Sequence, residues 1–441
     1  MVEDVKRERT ADRPHWEIFP DFGPYEDGVE GIAAGLTPGQ AITVRMSLLD
    51  LEGTQWSSQI DTLADSKARL DLSEHRHDFF SALKPLNASP HAYLRGTQGS
   101  YGRPVLDQNL GADARIEVLE TGTATPLLSH RGRVQRLRKG VAKRDLAKGD
   151  VRAALYSPAV DGSLLVVCIP GSGGGMDATF APALANAGYD VLTPALFSYP
   201  GRPDYHDGIA LETIGEAIDL ARAELGQPDR RIALLGTSRG AEAVLAYASL
   251  AERPAAGVMA LVPGAVVTPG WSPEAGDLTE PWTWRDQALP YFAEGFETLH
   301  DRATPFEDPT LGIESIGFSD FYGTVFRDQT ALGKAAVPTD GLEAPILLIA
   351  AGDDRIWDSG TGAEDLWTQL PAKVRDDPRS RKVTLDKAGH MIAPLGMPTA
   401  LSSSVYHPVE KQFYAVGGTP ETNAAANAKA WTEIKGFLSK L

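Results

Sequence analysis

The sequence of 441 residues predicts an all-β domain followed by a larger α/β domain that is built on a parallel sheet. From Gly28 to about residue 150, short stretches of alternating apolar and polar residues are separated by Gly and Asp turns, which is typical of strands with one buried face. From Val151 onward, continuous apolar runs alternate with helical patterns, which indicates parallel strands covered by helices on both faces. With 42% apolar residues, a chain of this length can fill the cores of two to three domains.

Three segments follow from this division. Residues 1–24 carry three prolines and predict an irregular N-terminal arm, and residues 25–150 predict a β-sandwich domain. Residues 151–441 predict the α/β domain. Within it, residues 265–340 lack a clear strand pattern and contain many aromatic residues. An insertion of this size between two predicted strands predicts a cap over the site that the parallel sheet carries.

The most informative motif is Gly-Thr-Ser-Arg-Gly at residues 236–240, with Ser238 at its centre. The apolar run 231–235 before it predicts a strand, and residues 241–250 after it predict a helix. This order is the context of a nucleophile elbow, in which small residues let the chain turn so sharply that the serine hydroxyl projects into a pocket. The pentapeptide alone is a weak signal, because glycine-rich turns between strand and helix also occur as plain structure.

Two later strand ends supply an acid and a base. The predicted strand 344–350 leads into the pair Asp353 and Asp354, and the predicted strand 382–385 leads to His390. The chain order Ser, Asp, His is that of the α/β-hydrolase triad. A serine hydroxyl is a poor nucleophile at neutral pH, so the histidine must accept its proton while a carboxylate orients the imidazole.

Asp353 and Asp354 compete for the role of the acid. We favour Asp354, because in Asp-x-x-Trp it occupies the position at which Asp-x-x-Val usually places the acid, and Asp353 is then a turn or capping residue. The hypothesis requires the Ser238 hydroxyl to lie about 2.6–3.2 Å from one ring nitrogen of His390. The other ring nitrogen should face Asp354.

A glycine-rich loop is expected to supply hydrogen-bond donors. The apolar run 164–169 predicts a strand buried on both faces, and it opens into a loop that contains Ser172 and Gly173. Backbone N–H groups of this loop and of Arg239 are predicted to form an oxyanion hole. A phosphate-binding loop is the alternative, but the run 170–175 lacks the Gly-Lys-Ser/Thr ending and the G-x-G-x-x-G spacing.

Together these motifs resemble those of the acyl-CoA thioesterase and bile acid-CoA:amino acid N-acyltransferase family. The matching stretches are the glycine loop 171–175, Gly-x-Ser-x-Gly-x-Glu ending at Glu242, Asp-Asp-x-x-Trp-x-Ser at 353–359, Gly-His-Met-Ile at 389–392 and Gly-Gly-Thr-Pro at 417–420. The resemblance implies an α/β-hydrolase catalytic domain behind an N-terminal β-sandwich. It also implies hydrolysis of an acyl thioester, with a CoA ester as the substrate and an acyl-enzyme intermediate.

Three other functions stay open at this point. An N-acyltransferase would pass the acyl group to an amine such as glycine or taurine, and an ester hydrolase would act on a substrate without CoA. A binding protein with an inactive hydrolase fold is the third possibility, which the intact Ser, Asp, His order disfavours. Within the resemblance, N-acyltransferases tend to carry cysteine at the nucleophile position, so serine at 238 favours hydrolysis.

The aromatic residues of the cap predict an apolar pocket that suits an acyl chain. Among them Trp271, Trp282 and Phe321 are the candidates for substrate contact, while most of the other rings are expected to pack the cap itself. Arg239 is a candidate cation for the anionic CoA or a solvated residue at the helix start. Glu242 lies on the same helix face as Ser238, and a buried structural role is favoured over placing a water molecule.

Composition limits the remaining classes. The net charge of −17 argues against nucleic acid as a partner. The single Cys168 lies in a predicted buried strand and is expected to be a core residue, in a reducing compartment. No apolar run is long enough to span a membrane, and no cofactor or metal is implied.

The location expected from these features is the cytoplasm. The last three residues, Ser-Lys-Leu at 439–441, spell a peroxisomal address, which would place the protein in the peroxisomal matrix if its source were eukaryotic. The same letters can also end an amphipathic helix by chance. The sequence leaves the oligomeric state open.

Overall fold

The computed structural model describes residues 13–86, 89–96, 103, 111–159, 162, 164–273, 277–308, 311–407 and 410–441. The chain divides into two compact units. The first comprises Met1–Tyr93, Arg103–Arg136 and Gly396–Ala400, and the second comprises Leu94–Gly102, Leu137–Leu395 and Leu401–Leu441.

The first unit is built from antiparallel sheets. Up to residue 134 the chain forms β1 (His15–Phe22), β2 (Val29–Ala34), β3 (Ala41–Leu49), β4 (Gln55–Leu63), β5 (Arg69–Asp71), α1 (Asp78–Ser81), β6 (Lys84–Pro85), α2 (Pro90–Gly96), β7 (Ala112–Glu120) and β8 (Pro126–Val134). The strands pair in a five-stranded sheet of order β6-β4-β3-β7-β8 and a three-stranded sheet of order β1-β2-β5. Along β3, the buried residues Ile42, Val44, Met46 and Leu48 recur at every second position, as a strand with one buried face requires.

The prediction of an irregular arm over residues 1–24 is wrong for the part that the structure describes. Residues 15–22 form β1, which pairs antiparallel with β2, while residues 1–12 lie outside the described residues. Pro20 is compatible with this strand because β1 lies at a sheet edge and its register shifts between Ile18 and Asp21. A proline count alone therefore does not exclude an edge strand.

The second unit holds the larger sheet. From residue 142 onward the chain forms β9 (Ala142–Lys148), β10 (Val151–Ser157), β11 (Leu164–Ile169), α3 (Phe180–Asn186), β12 (Asp190–Pro194), β13 (Ile209–Ala210), α4 (Glu212–Leu225), β14 (Arg231–Thr237), α5 (Arg239–Leu250), β15 (Gly257–Leu261), β16 (Gly270–Ser272), β17 (Asp277–Thr279), β18 (Trp282–Trp284), β19 (Gln287–Ala288), β20 (Thr304–Glu307), β21 (Glu314–Gly317), α6 (Ser319–Arg327), α7 (Gln329–Ala335), β22 (Ile346–Ala351), α8 (Ser359–Gln369), α9 (Ala372–Arg375), β23 (Arg381–Leu385), β24 (Ser404–His407), β25 (Gln412–Ala415) and α10 (Pro420–Leu438).

Eight of these strands form the central sheet, in the order β9-β10-β12-β11-β14-β15-β22-β23. The strands from β11 and β12 to β23 run parallel, whereas β10 is antiparallel to both of its neighbours. Side chains of β11 point alternately into two cores, one shared with α4, α5 and α8 and the other with α3 and α10. This is an α/β-hydrolase sheet, so the predicted α/β class with an antiparallel β-rich N-terminal region is confirmed.

The segment 265–340 joins β15 to β22 and carries more strand structure than its sequence suggests. It contains β16 to β21 in small sheets, two of which also recruit β13, β24 and β25 from outside the segment. Its helices α6 and α7 pack around a separate aromatic core that includes Phe296, Phe321 and Phe326. Sequence periodicity misses these strands because each of the six has only two to four residues.

Candidate active site

Four loops at the carboxyl edge of the central sheet bring the sequence-predicted groups together. Ser238 follows β14, the glycine loop follows β11, Asp354 follows β22 and His390 follows β23. Because these four strands are parallel, their carboxyl ends lie along one edge of the sheet, where ligands of open α/β sheets bind.

Ser238 occupies a sharp turn between β14 and α5. Its backbone has φ +57° and ψ −120°, a conformation that non-glycine residues rarely adopt, and its N–H donates to the carbonyl of Leu261 at 2.9 Å. The flanking glycines allow this turn. A Cβ atom on Gly240 would lie 2.3 Å from the carbonyl oxygen of Ile169, and one on Gly236 would lie 2.0 Å from that of Gly240. Strand, loop and helix can approach this closely only without side chains at both positions.

Ser238, His390 and Asp354 lie in one hydrogen-bonded line. Nε2 of His390 is 3.0 Å from the Ser238 hydroxyl, and Nδ1 is 2.8 Å from Oδ2 of Asp354. The other oxygen of Asp354 accepts the backbone N–H groups of Ile356 and Trp357, both at 3.1 Å. All three side chains are buried, so their mutual interactions are only weakly screened by water.

Asp353 makes different contacts from Asp354. Its Oδ2 accepts the N–H of Gly418 at 2.9 Å, and its Oδ1 pairs with Arg355 at 2.6 Å. The backbone N–H of Asp353 donates to Ala388 at 2.9 Å. Asp353 therefore ties together the loops around the site while Asp354 faces His390.

Two asparagines on α10 hold the histidine loop, and sequence reasoning missed both. Oδ1 of Asn423 accepts the N–H of Gly389, and Oδ1 of Asn427 accepts the N–H of Ala393, each at 2.9 Å. The two are almost fully buried. Their spacing of four residues on the apolar face of a predicted helix is the signal that could have found them.

The glycine loop starts directly against the serine. A Cβ atom on Gly171 would lie 3.1 Å from Cβ of Ser238. The amides of Gly174 and Gly175 donate to carbonyls of Gly171 and Phe197. By contrast, the described residues supply no acceptor to the amides of Ser172 and Gly173.

The side chain of Arg239 fills neither of the roles considered for it. Its guanidinium is largely buried and donates to the carbonyls of Thr268 at 2.6 Å and Pro269 at 2.5 Å. It also pairs with Oε2 of Glu242 at 3.4 Å. Arg239 therefore attaches the start of segment 265–340 to α5, of which it is the first residue, and its guanidinium is engaged in these contacts rather than exposed to a ligand.

Glu242 is the buried centre of the same cluster, in agreement with the buried structural role that the sequence favours. Its carboxylate accepts from the Thr268 hydroxyl and from the indole N–H of Trp282, both at 3.1 Å. Burial raises the pKa of Glu242, and the charge of Arg239 and these hydrogen bonds oppose that shift only in part. Nearby, burial and the charge of Arg239 lower the pKa of His206 well below its usual value.

Two of the three predicted substrate contacts lie buried in packing. Trp282 is 1% exposed and its indole N–H is engaged by Glu242, while Phe321 is 2% exposed and packs against Phe296 and Tyr322. Trp282 therefore packs in the core that the central sheet shares with α4, α5 and α8, and Phe321 packs in the aromatic core of segment 265–340. Trp271 is partly exposed and contacts the ring of Tyr205 edge-on.

The remaining sequence expectations concern a thiol, metals and membranes. Cys168 is fully buried in β11, and burial, with a smaller contribution from Asp177, raises the pKa of its thiol well above the usual value. In the described part of the chain, no group of three or more His, Cys, Asp or Glu residues could hold a metal ion. The helices described there include none with the length and apolar character needed to cross a bilayer.

Known proteins resemble this chain along most of its length. A family model described as BAAT / Acyl-CoA thioester hydrolase C terminal matches residues 209–441. Human acyl-coenzyme A thioesterase 6 is 26% identical over 417 residues, which cover 92% of this chain and 91% of the relative. Human mitochondrial acyl-coenzyme A thioesterase 2 is 26% identical over 427 residues, which cover 94% and 82%. Mouse acyl-coenzyme A thioesterase 5 is 25% identical over 415 residues, which cover 92% and 91%.

Solved structures show weaker similarity. A bacterial membrane phospholipase A has a TM-score of 0.36 and 15% identity, covering 68% of this chain and 86% of its own. The thioesterase domain from the curacin biosynthetic pathway has a TM-score of 0.30 and 16% identity, covering 57% and 94%. The α/β-hydrolase fold follows from the strand order of the central sheet.

Proposed function

This chain belongs to the family of BAAT / acyl-CoA thioester hydrolases and is an enzyme of the hydrolase class, and from that premise we propose that it hydrolyses acyl-CoA thioesters through Ser238, His390 and Asp354. The observation that carries the proposal is the continuous hydrogen-bonded line between these three side chains, 3.0 Å from serine to histidine and 2.8 Å from histidine to aspartate. Hydrolysis of an ester without CoA would use the same three side chains, so their geometry does not distinguish the two substrates. The family membership favours the thioester.

Two half-reactions use the same groups. The Ser238 oxygen attacks the thioester carbonyl as Nε2 of His390 takes its proton, and collapse of the tetrahedral intermediate breaks the C–S bond. His390 then donates the proton to the departing thiolate of CoA. In the second step, His390 takes a proton from water, whose oxygen attacks the serine ester, and returns that proton to the Ser238 oxygen as the free acid leaves. Asp354 holds the imidazole in the required tautomer throughout.

Backbone amides of Ser172, Gly173 and Arg239 are the donors that we assign to the developing oxyanion. Two facts support this assignment: the glycine loop begins in contact with Ser238, and Arg239 is the first residue of α5, whose N–H has no intrahelical acceptor. The positive end of the helix also favours negative charge at this point. Donors fixed before the reaction stabilise the transition state without reorganisation.

Water is proposed as the acyl acceptor. A serine ester is less prone to attack by amines than a cysteine thioester, and the residue at the nucleophile position is serine. Free acid should therefore be the main product even when glycine or taurine is abundant.

The deciding experiment incubates the purified protein with a panel of acyl-CoA esters, with and without glycine or taurine, and identifies the products by mass spectrometry. Free acid and CoA in both conditions support the proposal, whereas predominant N-acyl amino acid would replace it with the transferase function. Ser238→Ala should abolish release of CoA with an unchanged melting temperature. Ser238→Cys should retain acylation and divert more product to amines, since thiolate attack still forms an acyl-enzyme.

A further inference from the structure

Trp357, three residues after Asp354, contacts the base of the proposed reaction from the side. Its indole ring lies 5.7 Å from the imidazole of His390 between ring centroids, with an interplanar angle of 79°. This is an edge-to-face arrangement, which is among the favoured geometries for aromatic rings. Only 2% of the tryptophan is exposed, so this side of His390 is closed to water.

The indole itself is fixed on several sides. Its single N–H donates to the carbonyl of Val262 at 3.0 Å, and the backbone N–H of Trp357 donates to Asp354 at 3.1 Å. Leu261, the residue before Val262, accepts the backbone N–H of Ser238. Two consecutive carbonyls at the end of β15 therefore hold the turn of the nucleophile and the ring that abuts the base.

Two rings of helix α6 also pack against the indole. The ring centroids of Tyr322 and Phe326 lie 5.7 Å and 5.8 Å from that of Trp357. Arg327, at the end of α6, donates to Asp358 at 2.8 Å, so the loop that carries Trp357 is also attached to the helix by a polar contact. A change in the packing of α6 can thus be transmitted to His390 through the single side chain of Trp357.

The two hydrogen bonds of His390 restrain the positions of its ring nitrogens more than the tilt of the ring. A small tilt of the imidazole about the line through the two nitrogens redirects the ring N–H while hardly changing the N···O distances. Proton transfer depends on that alignment as well as on distance. A rigidly held ring packed edge-to-face with the imidazole opposes that tilt.

We propose that Trp357 is a positioning residue that holds His390 aligned with Ser238 and couples the packing of α6 to that alignment. The inference rests on the proposed function in assigning His390 as the base, but it does not depend on which acyl substrate is used. It differs from a purely structural role, because loss of the indole should slow the chemical step in molecules that remain folded.

The test compares Trp357→Leu with the matched control Trp56→Leu. Trp56 is similarly buried, on β4 of the first unit, and like Trp357 it donates its indole N–H, here to Asp50 at 2.9 Å. Each variant is measured for melting temperature, for kcat and KM with an acyl-CoA, and for the rate at which a fluorophosphonate probe phosphonylates Ser238 across pH. The probe reports on the activated serine whatever the natural substrate is.

Trp357→Leu should lower kcat and the phosphonylation rate about 10- to 100-fold with KM changed less than about threefold. The pH dependence of its phosphonylation rate should also differ from that of the wild type. Trp56→Leu should lower the melting temperature but leave both rates per folded molecule unchanged. Trp357→Phe, which keeps a ring beside His390, should recover most of the loss. A folded Trp357→Leu protein with wild-type rates and pH profile would overturn the proposal.

Phe326→Leu tests the coupling to α6 by a second route, which matters if Trp357→Leu fails to fold. This change removes a ring that supports Trp357 without touching Ser238, His390 or Asp354. A smaller loss of the phosphonylation rate is expected, and an unchanged rate would show that α6 does not act on His390. A wild-type protein that reacts with the probe but releases no CoA would contradict the proposed function while leaving this inference testable.

Discussion

Two residues at neighbouring strand ends hold unfavourable backbone conformations. Ser238 has φ +57° and Val262 has φ +44°, and left-handed conformations of this kind cost about 1–3 kcal/mol each. The surroundings maintain both: the Ser238 N–H donates to Leu261, and Val262 donates to Ile349 and accepts from Trp357. Strain of this kind persists only where such contacts determine the geometry. Here the strained conformation of Ser238 directs its hydroxyl towards His390.

The adjacent acids Asp353 and Asp354 should respond differently to the same substitution. Asp354→Asn should lower kcat about 10³- to 10⁴-fold, because the amide presents the wrong hydrogen-bonding group to Nδ1 of His390. Asp353→Asn should keep kcat within about threefold and lower the melting temperature, since it weakens the contacts to Gly418 and Arg355. Steady-state kinetics and thermal unfolding of both variants check this, and equal losses of kcat would contradict the assignment.

Glu242 should make stability depend on pH. Its folded-state pKa is raised above the usual value near 4.5, so between the two pKa values the folded protein binds more protons than the unfolded chain. The contribution of this group to the free energy of unfolding is therefore complete below the unfolded-state pKa and falls as pH rises towards the folded-state pKa.

Urea unfolding of the wild type and Glu242→Gln at a series of pH values measures this effect. The difference in the free energy of unfolding, wild type minus variant, should fall above about pH 4.5 by at most about 1.4 kcal/mol per pH unit and then level off. Glutamine keeps a hydrogen-bonding group at the site while removing the titration. A difference that does not change with pH would show that Glu242 has the same pKa in the folded and unfolded states.

At the level of elements, the site depends on how closely β11, β14 and α5 approach one another. The first turn of α5 lies against the end of β11, and the glycine loop after β11 lies against Ser238. Backbone contacts with the neighbouring strand and within the elbow therefore fix the turn at Ser238. These contacts are too close for a side chain at Gly236 or Gly240.

Substitution of two helical glycines should give opposite results. Gly240→Ala places Cβ within 2.3–2.4 Å of the carbonyl oxygens of Ile169 and Pro170, and should cost at least about 3 kcal/mol or prevent folding. Gly436→Ala on α10 meets no atom within 4 Å and should stabilise the protein by about 0.5 kcal/mol. Chemical denaturation measures both. A Gly240→Ala protein of wild-type stability would mean that the elbow can move aside.

The local elements of the site were predictable because each has a signal within a few residues. The strand, turn and helix around Ser238 and the choice of Asp354 over Asp353 follow from short motifs. The contact of Trp282 with Glu242 could not be predicted, because the two residues are 40 positions apart and nothing in a local pattern shows it. The same holds for Trp357 and α6, whose packing against His390 depends on tertiary structure.

For the whole molecule, the charge of −17 opposes any anionic substrate. Arg239, the cation nearest to the serine in sequence, is occupied by Thr268, Pro269 and Glu242. On the proposed function, CoA must therefore be attracted by other cations, or it approaches against the field of the protein. The expected cytoplasmic location stays a prediction.

The salt dependence of activity should report this field. Because added salt screens repulsion between the protein and CoA, KM for an acyl-CoA should fall about two- to fivefold between 10 and 150 mM NaCl. A neutral p-nitrophenyl ester is the control, and its KM should not change over the same range. A KM for acyl-CoA that rises with salt would instead indicate a cationic surface that attracts the substrate.

The burial of Cys168 makes the protein a convenient host for spectroscopic labels. The chain has one cysteine, and its thiol is both enclosed and poorly ionised at neutral pH, so maleimide or methanethiosulfonate reagents should leave the folded protein unmodified. A cysteine introduced at an exposed position of the cap would then carry the only label. Pairs of such sites would let distances within the second unit be followed during turnover without first removing a native thiol.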